Sequence, residues 1–372
     1  MRCPHCSCDP GGFTKNLLAI PFAPHAEQED IRPALHLAAM AMSTPKISVL
    51  LPVYNGLPFL REAVESILGQ TFSDFELLVI DDGSTDGSTA YLEALADPRL
   101  RLFRRAHTGL IPGLNFGLAE ARTDLIARMD ADDVARPERL QRQWEYMNHH
   151  PEVVLLGTRV QVIDGTGRLL GPEADLPIGH PDIVARFTQP RKMNPLVHPS
   201  VMFRREAALR CGGYRDDFPV AEDSDLWRRM ARIGRLHILA EPLLLLRKHG
   251  GNVTRTKALQ SLESMLRISV SHRIWDRTGV DILTSRPELW SAAKERIACL
   301  MAELRLAEAL EGRRLLKGIR GADGRAWPRT LGKLLRRPVL LTGLGLYRRR
   351  ETLVAKVTDE TAARIGVPPA TG

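Results

Sequence analysis

Short apolar runs alternate with helically spaced apolar segments over residues 46 to 129, and few folds accommodate that order. Ile47-Ser48-Val49-Leu50-Leu51 reads as a buried strand stopped by Pro52. Asn55-Gly56 turns the chain, and Phe59, Leu60, Ala63, Val64, Ile67 and Leu68 fall at helical spacing. Phe75 to Ile80 is a second strand ending in Asp81 to Ser88, where Ser84 or Asp86 is placed to cap a helix over Thr89 to Leu95. A strand over Leu100 to Phe103, a helix over Leu114 to Ala121 and a strand over Asp124 to Met129 follow. This alternation predicts an α/β fold with a parallel sheet.

Farther on, Arg136 to Asn148 reads as a helix with Pro137 in its first turn. Val153 to Gly157 and Val160 to Ile163 are strand-like, and Asp164-Gly165 is a turn. The proline-rich stretch 171 to 199 predicts long loops over the site. Ser200 to Phe203 is a short strand, Arg204 to Cys211 a helix stopped by Gly212-Gly213, Asp225 to Ile233 a helix and Leu243 to Arg247 a last strand. After Thr254 the pattern becomes helical, over Ala258 to Arg277 and Ala292 to Leu316. The organisation expected is a disordered leader over 1–44, a catalytic domain over 45–254 and a helical, basic region over 255–372. Residues Asp30 to Met42 are compatible with a short helix.

Charge is unevenly placed. The net charge is +8, and residues 313 to 350 hold twelve Lys or Arg against one acid, Asp323. That tract flanks the apolar Val339 to Leu346, which is too short to span a bilayer. It suits an anionic membrane surface or a solvated helical face. Only two aromatics, Trp327 and Tyr347, fall among its basic residues, so nucleic acid is not expected as a partner. No run of about 18 apolar residues occurs, and no basic segment followed by an apolar core opens the chain. Five cysteines without an export signal point to reduced thiols. The expected setting is cytoplasmic, peripheral at the inner face of a membrane. Cys3-Pro4-His5-Cys6 is half of a zinc ribbon site, but no second half follows.

Arg128-Met129-Asp130-Ala131-Asp132-Asp133 places three carboxylates directly after an apolar strand. Clefts in α/β sheets open at carboxyl strand ends. Oxygen-only ligands suit magnesium or manganese beside substrate phosphates. Asp133 either supports the other two from behind or caps the next helix, and Arg136 either meets phosphate or lies at the surface. Pro52, Tyr54 and Asn55 sit where the first strand ends. Tyr54 offers an aromatic face and a hydroxyl, whereas Pro52 and Asn55 equally suit turn chemistry. His198 and His249 come late enough to meet a diphosphate or a metal, although a lone histidine is more often structural. Trp227, at helical spacing with Met230, reads as core.

Several of these segments together resemble a known family. Ser48 to Asn55, Asp81 to Ser88, Met129 to Asp133, Gly212-Gly213-Tyr214 and Ala221 to Arg228 are similar, in order and spacing, to family 2 glycosyltransferases of the bacterial cell-surface glycan type. The match covers about residues 46 to 250. It implies a GT-A (Rossmann-like) nucleotide-diphospho-sugar transferase fold, here with a mainly helical C-terminal extension. It also implies a nucleotide-sugar donor, a glycan or lipid-linked acceptor and transfer with inversion. By the same resemblance Pro52, Tyr54, Asn55, Asp81 and Asp82 hold the nucleoside, with Asp82 toward the base. Asp130 and Asp132 form the metal-binding Asp-x-Asp for manganese or magnesium, Asp130 also touching the donor. Asp223 is the catalytic base, and Glu222 supports it or binds acceptor. From the residues alone, Asp81 equally well orients a loop, and Asp223 or Ser224 also suits a helix N-cap.

Two other classes share single features with this sequence. Asp130-Ala131-Asp132-Asp133-Val134 superficially resembles the nucleophile motif of haloacid-dehalogenase phosphatases, but four strand-like elements come first. A non-catalytic glycan-binding or scaffold protein would not need acids at all three motif positions.

Overall fold

The computed structural model describes residues 44–172, 176–187, 194–251, 258–299, 301, 302, 352 and 354–366. The cysteine-rich start, the candidate helix over Asp30 to Met42, the basic tract 313–350 and the latter half of the helix expected to Leu316 lie outside them.

The expected alternation forms β1 (Ile47–Val53), α1 (Leu60–Leu68), β2 (Phe75–Asp81), α2 (Ser88–Glu93), β3 (Leu100–Arg104), α3 (Leu110–Glu120) and β4 (Leu125–Arg128). β1 pairs in parallel with β2 and β4, and β2 with β3. Every residue of β2 is buried, as is β1 except at Pro52, because helices cover both faces of the sheet. Val49 and Leu51 pack toward Leu60, Ala63, Val64 and Ile67 of α1. Leu50 and Ile80 point the other way, toward Ile111, Leu114 and Leu118 of α3. The period of two in the strands thus splits the core into two layers.

The second half is β5 (Val134–Ala135), α4 (Arg139–His149), β6 (Val153–Asp164), β7 (Leu169–Pro172), α5 (His180–Phe187), a 3-10 turn at His198–Ser200, β8 (Met202–Arg204), α6 (Arg205–Arg210), α7 (Glu222–Met230) and β9 (Arg235–Lys248). Among the described residues nine strands make one sheet, ordered β3-β2-β1-β4-β8-β6-β9-β5, with β7 on β6. The sheet is mixed, not parallel throughout: β8 runs antiparallel to both β4 and β6. It enters from the 3-10 turn rather than from the crossover helix that a parallel neighbour of β4 would need.

Two further expectations are corrected. The stretch 171 to 199 is not all loop, since β7 reaches Pro172 and α5 begins at His180. Pro181 sits in the first turn of α5, where its missing N–H costs nothing, and Ile183 and Phe187 are buried one turn apart. β9 begins at Arg235, well before Leu243. Pro242 had masked the continuity, but it lies opposite Arg159, where the β6–β9 register is irregular.

Beyond β9 come α8 (Ala258–Thr278), α9 (Ile282–Ser285) and helical residues 287–299 and 354–364. They share a third core in which Phe218 and Ala221 join Leu266, Ile268, Val270, Ile274, Trp290, Ile297 and Val357. Among the described residues no helix is long and apolar enough to cross a membrane.

Gly117 of α3 tests how closely the first two layers approach. A Cβ there would lie 2.2 Å from Cδ1 of Leu50, which is fully buried. Alanine gains about 1 kcal/mol of helix propensity, against an overpacking cost of about 1–3 kcal/mol. Gly117→Ala is expected to lower the melting temperature. A raised one would show that Leu50 has room to move.

Candidate active site

Because β1, β2 and β4 are parallel, their carboxyl ends bring residues 54–56, 82–87 and 129–133 to one edge of the sheet. The first two loops are tied together. Asn55, at φ 51°, accepts the Thr85 N–H at 2.8 Å, and its own N–H donates to Ser84 Oγ at 3.0 Å. Asp86 receives the N–H groups of Leu57 and Ser88, both at 3.0 Å. Asp81 is buried and accepts the Ser84 N–H and the Thr89 hydroxyl, so its carboxylate orients the loop. Asp82 is buried as well. Its two oxygens take the backbone N–H groups of Thr108 and Gly109, each at 2.8 Å, and His107 Nδ1 lies 2.9 Å away. The His107 ring stacks on the half-exposed Tyr54 ring, with centroids 4.0 Å apart. Tyr54, Asn55, Asp81, Asp82 and His107 therefore form one connected shelf, with Pro52 in β1, opposite Ile80, just before it.

The acidic loop is more tightly held than its sequence implies. Ligand atoms of Asp130, Asp132 and Asp133 lie within 4.8 Å of one another. Asp130 pairs with Arg128, whose side chain is buried. Asp132 Oδ2 is 2.8 Å from His249 Nε2. Asp133 Oδ1 accepts the Arg247 N–H at 2.7 Å, while its Oδ2 is buried with no hydrogen bond. Arg247 also donates through Nε to the Asp132 carbonyl at 2.8 Å and reaches Glu62 of α1, so β9 and α1 hold the loop from behind. Burial raises the Asp130 carboxyl above its ordinary range against the pull of Arg128, and the charge on Asp132 adds to the rise. Burial, then the charges of Asp130 and Asp132, raise Asp133 well above that range. Asp133 does not cap the next helix, because β5 intervenes and α4 starts after Glu138. Arg136 is exposed and donates to Gln161 at 2.6 Å, which makes it a surface residue.

The acidic loop shares a cleft of about 660 Å³ with the start of α7. Arg128, Asp130, Asp132, Asp133, His198, Glu222 and Asp223 all line it, as do Thr108 and Gly109. Glu222 and Asp223 are the first two residues of α7. The N-cap position is Ala221, with no side-chain cap, so neither Asp223 nor Ser224 serves as one. Val220, just before them, has φ 76°. That conformation is a costly outlier for a β-branched residue. Asp223 Oδ2 accepts from Asn194 Nδ2 at 2.7 Å. Burial pushes Asp223 up to about 6, restrained by the Ser224 N–H, Arg128 and Asn194. Burial and the charge on Asp223 push Glu222 up to about 7. His198 Nδ1 is 3.8 Å from Glu222 and its Nε2 is 3.0 Å from the Tyr214 hydroxyl. Burial, then the Arg128 charge, hold its imidazole well below the usual range, so it is neutral at pH 7. Trp227 is fully buried against Phe203 and Tyr214, in keeping with its helical spacing.

The structure thus gathers the sequence candidates into two groups, the shelf around Tyr54 and the acid-lined cleft, joined at Thr108 and Gly109. Neither the contact of His107 with Asp82 nor the burial of the Arg128 charge is evident from the sequence. His107 carries no local motif, and Arg128 reads in sequence as the polar end of a strand.

A family model for glycosyl transferase family 2 matches residues 48–211. The chain is 32% identical over 231 residues to the glycosyltransferase EpsE of Bacillus subtilis, covering 60% of this chain and 81% of that one. It belongs to glycosyltransferase family 2. It is also 32% identical over 189 residues to the O-antigen biosynthesis glycosyltransferase WbnJ of Escherichia coli, covering 50% of this chain and 71% of WbnJ. Among solved structures, S. aureus TarS 1–349 in complex with UDP-GlcNAc aligns with a TM-score of 0.51 at 19% identity, over 68% of this chain and 70% of that one. This glycosyltransferase has the GT-A fold, and the phosphatase and non-catalytic readings are set aside.

Asp82 gives a local test. Asp82→Ala leaves the Thr108 and Gly109 N–H groups without acceptors, a cost of about 1–3 kcal/mol. Amide hydrogen exchange at residues 108 and 109 is expected to accelerate in this variant. Unchanged protection would mean that the shelf is held by other contacts.

Proposed function

We propose that this glycosyltransferase moves a sugar from a nucleoside diphosphate to a hydroxyl of a growing cell-surface glycan, with inversion and with help from a divalent cation. The observation that carries this reading is the shared cleft, in which the Asp130–Asp133 cluster and the Glu222–Asp223 pair line the same wall system.

The acid cluster fits a hard cation. It supplies oxygen donors within 4.8 Å of one another, and Asp133 Oδ2 is buried with no hydrogen bond. Asp130 and Asp132 would hold manganese or magnesium, with His249 beside Asp132 and Asp133 behind. Such an ion, when bound, offsets the charge that develops on a departing diphosphate.

The remaining steps belong to the chain's own groups. Tyr54 and His107 offer a stacking face for the base, and Asp82 fixes the loop that joins shelf to cleft. Asp223 takes the proton of the acceptor hydroxyl as that oxygen bonds to the anomeric carbon. The bond from this carbon to the diphosphate breaks on the opposite face, and the nucleoside diphosphate leaves with the electron pair. One displacement without an enzyme nucleophile inverts the carbon. A carboxylate near 6 is ionised at neutral pH yet basic enough to accept the proton. Glu222, near 7, keeps a proton part of the time and is suited to hydrogen-bond the acceptor. Arg128 is the buried counter-charge of this wall.

A lipid-linked acceptor and a site at the inner membrane face accord with the basic tract 313–350 and with the O-antigen role in the name of WbnJ. In this reading residues 45–254 are the catalytic domain and 255–372 its helical, basic extension.

Two variants test the assignment. Asp132→Ala is expected to lose donor turnover and manganese-dependent binding of nucleoside diphosphate. Asp223→Asn is expected to cut turnover by about 100-fold or more, in line with the loss of a general base, while donor binding persists. In the parent enzyme turnover should rise through about pH 6 as Asp223 ionises. Full activity in either variant would remove that residue from the mechanism.

A further inference from the structure

Helix α7 carries Glu222 and Asp223 in its first turn with no side-chain cap, so what fixes them lies elsewhere. The grip is on Asp225, one residue beyond Ser224. Asp225 is completely buried. Its Oδ2 accepts from Arg229 Nη2 at 2.6 Å and Nε at 2.9 Å, one turn along the same helix. Arg229 passes the hold to the chain before α7, donating to the Gly213 carbonyl at 2.8 Å and to that of Cys211. The other oxygen, Oδ1, faces α8: His272 Nε2 is 3.1 Å away, with Arg215 Nη1 at 4.0 Å. His272 is buried, and Arg232 Nη2 meets its Nδ1 at 3.5 Å. An imidazole protonated on Nε2 satisfies both contacts, donating to Asp225 and accepting from Arg232.

The segment leading into α7 is held by the same helices. Arg215 pairs with Asp281 at 2.5 Å. Asp217 Oδ1 receives Trp290 Nε1 and Lys294 Nζ, each at 2.8 Å. The Pro219 carbonyl receives the Ser264 hydroxyl at 2.5 Å. Strained Val220 lies on the chain between these fastenings and Glu222, and such a conformation persists only where its surroundings over-determine it.

We propose that His272 is a positioning residue for sugar transfer: through Asp225 it sets where the first turn of α7 presents Glu222 and Asp223 to the cleft. The helices after residue 258 are therefore part of the working site. Phe218 and Ala221, which share their core, provide the apolar half of the same clamp. The inference rests on Asp223 as the base.

The test uses the full chain. Donor hydrolysis, with water as acceptor, is measured for UDP-glucose, UDP-N-acetylglucosamine, GDP-mannose and dTDP-rhamnose, and the fastest donor is carried through all variants. His272→Leu keeps bulk but cannot donate to Asp225. It should lower kcat by about 10- to 100-fold, the scale of a misplaced catalytic group. KM and the affinity for the matching nucleoside diphosphate with manganese should stay within about twofold. His272→Gln, whose amide can donate at similar reach, should recover most of the lost kcat. In an Asp223→Asn background, His272→Leu should cost little more, because both changes act through one carboxylate. If His272→Leu does not fold, His272→Asn takes its place with the same expectations. An unchanged kcat, a parallel loss of nucleotide affinity, no recovery by glutamine or a full multiplicative loss in the double variant would each overturn the proposal. Full activity of Asp223→Asn alone would instead overturn the base assignment, and the two failures are thereby told apart.

Discussion

A guanidinium can be buried only where carboxylates and carbonyls compensate it, and the cleft is built around that requirement at Arg128. Its side chain is 2% exposed and pairs with Asp130. Its charge also acts on Glu222, Asp223, His198 and Tyr214. Its backbone is equally fixed: the N–H donates to the Val201 carbonyl at 2.9 Å, and the carbonyl accepts from buried Arg139 at 2.7 Å. One residue at the end of β4 thus lies between the acid cluster and the candidate base. It lowers the cost of crowding carboxylates into this space, pairing directly with Asp130 and acting on Glu222 and Asp223 through its charge alone.

The first half of the fold was readable in the sequence because helices cover both faces of the sheet. β1 and β2 are buried on both sides, so their apolar runs stand out, and α1 shows its inward face as a clean period. The second half was harder. α5 hides among prolines, β9 is interrupted by Pro242, and the antiparallel entry of β8 leaves no local mark. Residues of the site were legible as types and less so as contacts. Asp82 was singled out, but its partners Thr108 and Gly109 lie 26 and 27 residues away. Asp133 looked like a helix cap because the two-residue β5 was invisible. His107 and His272 act through neighbours that only the fold supplies.

Two kinds of constraint meet at the cleft. The acid loop is held from below by Arg247 and His249 of the last strand and its end, which close the sheet around it. The start of α7 is held from outside by helices that follow the sheet in sequence. Val220, strained and two residues before Glu222, marks where these two demands are reconciled. The shelf around Tyr54 is simpler, a set of turns locked by short polar side chains, and its exposed ring is available for stacking.

The most direct test of this account is anomalous diffraction from crystals grown with manganese and the tightest-binding of UDP, GDP and dTDP. The account predicts one anomalous peak bounded by the carboxylates of Asp130, Asp132 and Asp133, with the diphosphate beside it in the cleft that Asp223 lines and the base against Tyr54. Manganese at another site, or a nucleotide whose diphosphate lies away from the acid cluster, would contradict it.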